Sequence, residues 1–224
     1  MAKRWVMLLI LLLVRVSMGY QFQSVASLSP QLVTDLGFTY AEVGTLIGFY
    51  LLPGIFFAIP SGLMTRAATD KKLLILGAVV MVVGALIMGF TTSHAGFYIG
   101  RLITGIGGTI FNLILTKMVT EWFYDKQIIT ALSILLAAWP LGIALGLLSQ
   151  GIIADTYGLA TTFLATAAVV AAGLILVALF YQDPQRIRRQ SFDPSASTYP
   201  FANSYIRLCW HWLGRYLTPF SSSW

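Results

Sequence analysis

The sequence predicts an all-α integral membrane protein of six spanning helices, and three observations carry that expectation. Hydrophobic residues make up 58% of the 224 and charged residues 10%, with a mean hydropathy of +0.81, well outside the composition of soluble globular domains. About 20 apolar residues at 1.5 Å each cross a hydrocarbon core, and six such runs occur, at 5–27, 42–63, 73–91, 96–117, 127–152 and 160–181. The basic residues alternate between the connections. Lys3, Arg4, Arg66, Lys71, Lys72, Lys117, Lys126, Arg186, Arg188 and Arg189 flank one set of span ends, whereas 28–41, 92–95 and 153–159 carry no Lys or Arg. Under the positive-inside rule both termini are expected in the cytoplasm. The membrane bundle is expected over 1–182 and a cytoplasmic tail, disordered or interfacial, over 183–224.

The net charge of +6 does not point to nucleic acid, because the basic residues are scattered between apolar runs and form no patch. One cysteine, Cys209, excludes an internal disulfide and a thiolate metal cluster. His94 and His211 are the two histidines, neither near a plausible nucleophile or carboxylate. With no phosphate-binding loop of the G-x-x-x-x-G-K type, neither enzymatic activity nor a cofactor or metal is expected. A channel would need a selectivity filter, and no such sequence is recognisable.

Span 1 resembles a secretory signal at its start, with Lys3-Arg4 before Trp5–Val14, but it continues past Arg15 to spanning length. Arg15 falls about 15 Å into the helix, and Arg15, Gly19 and Gln23 share a face at i, i+4, i+8. Snorkelling of Arg15 to the cytoplasmic surface is the bland alternative. Ser29-Pro30 ends the span. In span 2, Gly44 and Gly48 form a G-x-x-x-G pair suited to close helix approach, and Pro53-Gly54 and Pro60 are expected to bend the helix. Span 3 carries Gly77 and Gly84 one heptad apart and reads as packing.

Span 4 holds Arg101 inside Tyr98–Gly108, and an intramembrane arginine by default lines a cavity and holds an anion. Gly100, Thr104 and Gly108 make one small-residue face. Arg101, Gly105, Gly108 and Asn112 follow i, i+4, i+7, i+11 beside it. In span 5, which contains Trp139-Pro140, Ala138, Gly142, Gly146 and Gln150 share a face. Span 6 has no charged residue. Beyond it, Arg207, His211 and Arg215 repeat at i, i+4, i+8, a basic strip that, if helical, suits the membrane surface.

The residues from Gly62 to Lys72 resemble the signature between spans 2 and 3 of the major facilitator superfamily, roughly G-x-L-x-D-R-x-G-R-K. Gly62 and Lys71 fit, and Asp70-Lys71-Lys72 is similar to a variant ending D-R-R. Arg66 stands where the family has aspartate and Thr69 replaces the second glycine. In the family this loop helps latch two halves on the cytoplasmic side. Arg101, Gly105 and Gly107 resemble the fourth-span motif R-x-x-x-G-x-G, which implies an arginine that handles substrate or protons. Pro140, Gly142 and Gly146 resemble the glycine-proline motif of the fifth span, with Trp139 in place of a glycine, and antiport is not implied. The wording of spans 1, 2 and 5 is similar to bacterial members near the nitrate/nitrite and cyanate transporter-like branches, implying a bacterial inner membrane.

The resemblance implies one half of a major facilitator fold, built as a 3+3 inverted repeat, with the leading helix of each triplet lining a central cavity. Arg15 and Arg101 occupy those helices. No Asp or Glu lies deep within a span, so the expected counter-charge is the substrate: a small inorganic or organic anion bound by Arg15 and Arg101 with Gln23 and Asn112 nearby, and moved by alternating access. Pairing of the arginines with backbone carbonyls, or with carboxylates of a second half, is the alternative, and a neutral or drug-like solute then fits. Proton coupling is left open, since Asp35 and Glu42 sit at helix ends where carboxylates are more often solvated or capping. Family members carry about twelve spans, so a second six-helix half or a homodimer partner is expected within the lipid bilayer. A truncated or frame-shifted chain that transports nothing is the competing expectation.

Overall fold

The computed structural model describes residues 2–67, 69–123 and 127–181 of the chain. The side chain of Arg66 and the surroundings of Gly62, together with Lys126 and the whole tail 183–224, lie outside the described residues. Among the described residues, six α-helices follow one another: α1 (Ala2–Ser27), α2 (Ser29–Leu36), α3 (Tyr40–Ala67), α4 (Asp70–Phe90), α5 (His94–Trp122) and α6 (Ile128–Phe180). Among the described residues, α1, α4, α5 and α6 are long and apolar enough to cross a bilayer, and α3 adds the apolar stretch Tyr40–Phe56.

At 53 residues, α6 is about 80 Å long if straight, far more than one crossing needs. Gly158 breaks it. Its φ of 85° and ψ of 168° suit a residue without Cβ, and the chain passes there from limb 128–157 to limb 159–180. The expected loop 153–159 thus shrinks to a single residue.

Three further expectations change. Residues 29–36 are helical, because Pro30 occupies the first turn, where its missing N–H costs nothing. Proline there starts α2 as well as ending α1. The connection 62–72 is much shorter than expected, since α3 runs unbroken past Pro53 and Pro60 to Ala67 and α4 begins at Asp70. Lys117 lies within α5, its amine 2.6 Å from Asp70. Thr39 and Glu42 open α3 as a reciprocal capping box: Glu42 accepts from the Thr39 backbone N–H (2.8 Å) and hydroxyl (2.9 Å), while Glu42 N–H donates to Thr39 Oγ1.

α5 packs between α3 and α4, and α1 packs against both limbs of α6, the second of which also meets α4. Small residues make the approaches close. A Cβ at Gly19 would lie 2.5 Å from the Trp139 carbonyl, and one at Gly107 only 2.6 Å from that of Gly77. Gly84, as expected, packs on α5, with the Gly100 carbonyl 2.6 Å from where its Cβ would be. Gly44 and Gly48 do not: among the described residues nothing lies within 4 Å of a Cβ on either. They face outward on α3 beside the exposed Leu51, Leu52 and Ile55.

Among the described residues, two apolar clusters fill the bundle, one from Met7 to Tyr181 and one around Val25, Leu32, Phe38 and Phe97. A buried polar layer crosses it. Gln21 donates to the Met81 carbonyl and Gln150 to that of Tyr20, each at 2.8 Å. The two ends also differ. One gathers Asp70, Lys71, Lys117, Glu121 and Trp122 around Tyr181, whose carbonyl takes the Lys71 amine and whose hydroxyl takes the Trp122 indole N–H, both at 3.1 Å. At the other, His94 stacks on Phe38 with centroids 3.9 Å apart, donates to the Leu36 carbonyl and lies 3.7 Å from Glu42, and Gln31 donates to Asp155.

Candidate functional site

Arg101 is fully buried, and α5 delivers it to the junction with α1 and α3. A guanidinium offers five donors in a rigid fork. Here Nε donates to the Leu46 carbonyl at 3.2 Å, Nη1 to Gln21 at 3.4 Å and Nη2 to Phe22 at 2.6 Å. Its flat face covers the Tyr50 ring, 4.9 Å from the centroid, and reaches the Phe22 ring at 5.8 Å, a cation–π arrangement. The counter-charge that the sequence lacks is met by oriented peptide dipoles.

Arg15 differs. Two turns lower on α1 and only 5% exposed, it donates through Nη1 to Oδ1 of Asn112 on α5 and lies 5.6 Å from the Trp139 ring. Its Nε has no partner among the described residues. One neutral amide and one aromatic ring are modest company for a buried charge, whose isolated transfer from water is costly.

Asn112, Tyr50 and Trp139 line a cavity of about 350 Å³ between α1, α3, α5 and the first limb of α6. Tyr50 is 3% exposed and its hydroxyl has no hydrogen-bond partner among the described residues. Gly105, of the fourth-span motif, and Gly108, one residue beyond that motif, make room for it. A Cβ at Gly105 would run into the Tyr50 backbone, 3.0 Å from its Cα, and one at Gly108 would strike the ring, 2.9 Å from Cζ and closer still to the hydroxyl.

The structure therefore brings Arg15 and Asn112 together, and Arg101 next to them through Tyr50. Gln23 it places elsewhere, buried two turns above Arg15 against Gly146, with its Cβ 3.1 Å from where a Gly146 Cβ would be. Gly107 faces α4, and Gly142 faces α1, where a Cβ would meet the Val16 carbonyl and lie 2.9 Å from the Tyr20 nitrogen. Pro140 is carried within α6 without breaking it. Asp70 and Lys71 stay at the basic end of the bundle, engaged with Lys117 and the Tyr181 carbonyl. Tyr50 and Trp139 are the two aromatic residues that line the cavity, and sequence reasoning did not single them out as site residues. Their signal was the arginine-to-aromatic proximity, which only the fold creates.

Comparison with known proteins places the chain. The family profile of the Major Facilitator Superfamily matches residues 9–221. An uncharacterized transporter of Buchnera aphidicola subsp. Schizaphis graminum is 25% identical over 135 residues, 60% of this chain and 34% of that protein. An uncharacterized MFS-type transporter of Methanocaldococcus jannaschii is 27% identical over 128 residues, 57% of this chain and 33% of the relative. Among solved structures, a mutant of the nucleoside transporter NupG superposes with a TM-score of 0.68 at 11% identity, over 84% of this chain and 46% of that one, a likeness of fold. The chain spans about a third of the length of the curated relatives it matches and about half of the solved transporter.

Proposed function

The chain belongs to the Major Facilitator Superfamily, and from that premise we propose that it serves as a six-helix half of a secondary transporter that moves a small anion across a membrane by alternating access. The helices of 1–182 form the half-bundle as two inverted triplets, 1–3 and 4–6 of the spans, and 183–224 follows as a tail. A second half or a second copy closes the cavity from the opposite side. The Lys- and Arg-bearing end of the bundle faces the cytoplasm of a bacterial inner membrane, and an anion enters with or without a proton.

The observation that carries the reading is Arg15. It is a buried cation beside a cavity, held by one neutral amide, with a donor nitrogen unpartnered among the described residues. An anion entering between Tyr50 and Asn112 supplies the missing negative charge. Arg101, with three carbonyls, has less need of one and anchors the cavity wall. That same satisfaction of Arg101 favours a second reading, a neutral solute held by hydrogen bonds in the same cavity.

Reconstituted vesicles holding the full chain, loaded and diluted into labelled nitrate or a labelled carboxylate, separate the two. Anion uptake that falls at least tenfold in Arg15→Ala, with equal protein in the vesicles, is the expected result. Full anion uptake in Arg15→Ala, or uptake confined to neutral solutes, overturns the proposal.

A further inference from the structure

We infer that each buried arginine acts on the ligand through a neutral donor on the cavity wall, and that the ligand is an organic carboxylate with a flat apolar body, not a hydrated inorganic ion. The inference rests on the anion reading above and narrows it.

Guanidinium has donors and no acceptor, so the Asn112 atom that faces Arg15 is the amide oxygen. Both amide hydrogens on Nδ2 have no partner among the described residues, and the charge behind them polarises the group. Asn112 is an exposed residue on the cavity wall. Tyr50 repeats the arrangement. Its ring lies under the Arg101 guanidinium and on the same wall, and its hydroxyl, which has no partner among the described residues, is buried behind that wall, so that a ligand reaches it only by a small shift of the tyrosine side chain. A buried donor left unmade costs free energy, which an incoming acceptor recovers. Two donors, each backed by a cation, suit the two oxygens of one carboxylate.

The other hydroxyls on the wall are committed. Thr109 donates to the Gly105 carbonyl and Thr116 to that of Asn112, each at 2.9 Å, so they present acceptor lone pairs. The remaining side chains on the wall are mostly apolar: Met18, Leu51, Leu113 and Trp139, whose indole carries one N–H. The volume of about 350 Å³ holds roughly ten waters at about 30 Å³ each. A three- or four-atom inorganic anion fills a small part of it and leaves water lying against those side chains. A carboxylate carrying a ring displaces that water and buries its body against Trp139 and the apolar wall.

Isothermal titration of the full chain in detergent with sodium benzoate, benzamide and sodium nitrate tests this. Benzoate is expected to bind at least tenfold more tightly than the other two. Tyr50→Phe and Asn112→Leu are each expected to weaken benzoate about tenfold, the scale of one hydrogen bond to a charged group. Arg15→Gln removes the charge, and its shorter amide stands where the guanidinium Nε stood. It is expected to bring benzoate down to the affinity of benzamide while weakening benzamide far less, whereas a merely structural defect weakens both alike. Nitrate binding as tightly as benzoate, or benzoate affinity untouched by Tyr50→Phe and Asn112→Leu, overturns the inference and leaves the anion reading standing. Binding of benzamide with neither anion binding removes the anion reading as well.

Discussion

Replacing Gly19 by alanine adds one methyl group at the contact between α1 and the first limb of α6, and the structure sets the size of the effect. That carbon would lie 2.5 Å from the Trp139 carbonyl oxygen, 3.2 Å from the Gly142 Cα and 3.3 Å from the Ile143 nitrogen. All three are backbone atoms of a helix, so no side chain can rotate away. Ordinary contact begins at 3.4 Å, and the helices must part by about 0.9 Å. Overpacking of this kind costs about 1–3 kcal/mol, which for a chain of this length lowers Tm by about 2–12 °C. The same displacement carries Trp139 from 5.6 Å toward about 6.5 Å from Arg15, beyond the cation–π range of about 6 Å. Gly151→Ala is the control: it lies on the same limb with nothing within 4 Å of its Cβ, and alanine there gains up to about 1 kcal/mol of helix propensity. Thermal unfolding of the three proteins in one detergent is the assay. A Gly19→Ala protein as stable as Gly151→Ala refutes the reasoning, because the α1–α6 contact would then not be held at backbone distance.

Arg101→Lys keeps the charge but replaces a fork that reaches three carbonyls on two helices with a single ammonium. The expected outcome is a lower Tm by several degrees and a smaller yield of monodisperse protein, and a lysine variant equal to wild type in both would show that the carbonyl contacts contribute nothing. Asp70→Asn removes the charge that meets Lys117 at 2.6 Å, where the aspartate is 12% exposed and the lysine 35%. A loss of about 1–2 kcal/mol is expected, and raising salt should narrow the gap to wild type, because the lysine side is partly screened. A gap that does not change with salt argues against the ion pair as its source.

The helices themselves could be read from the chain because bilayer thickness imposes a length and a composition that few other contexts reproduce. Arg15, Gly19 and Gln23 could be placed on one face by spacing alone, yet spacing does not say what each residue meets along that face. Arg15 meets Asn112, Gly19 the Trp139 carbonyl, and Gln23 the Gly146 position. The same limit explains Arg101. Any residue contributes a carbonyl, so Leu46, Gln21 and Phe22 carry no mark of the role they play, and a search for a carboxylate partner finds nothing. Gly44 and Gly48 show the converse. A G-x-x-x-G spacing permits close approach without supplying the helix that approaches. Glu42 at a helix end could be read as a capping residue because its partner, Thr39, is three positions away. Asp70 and Lys117, 47 positions apart, become neighbours only through the packing of α4 on α5.

Arg101, Gly105 and Gly108 lie at i, i+4 and i+7, and the structure gives that spacing one meaning: a socket for Tyr50. The guanidinium covers the ring, Gly105 admits the tyrosine backbone and Gly108 admits the end of its side chain. The two glycines are therefore distinguishable by a double-mutant cycle with Tyr50→Ala. At Gly108 the added methyl meets only tyrosine side-chain atoms, the hydroxyl, Cζ and Cε1. Truncating the tyrosine should thus erase the penalty of Gly108→Ala and leave a coupling of about 1–3 kcal/mol. At Gly105 the methyl meets the carbonyl oxygen, the carbonyl carbon and Cα of the same residue, atoms that truncation of the side chain leaves in place. Gly105→Ala should therefore cost as much in the Tyr50→Ala background as in the wild type, within about 0.5 kcal/mol. Equal coupling at both positions would mean that the glycines serve the helix contact in general. The donor that Tyr50 offers to the cavity would then be a by-product of packing, not something the motif positions.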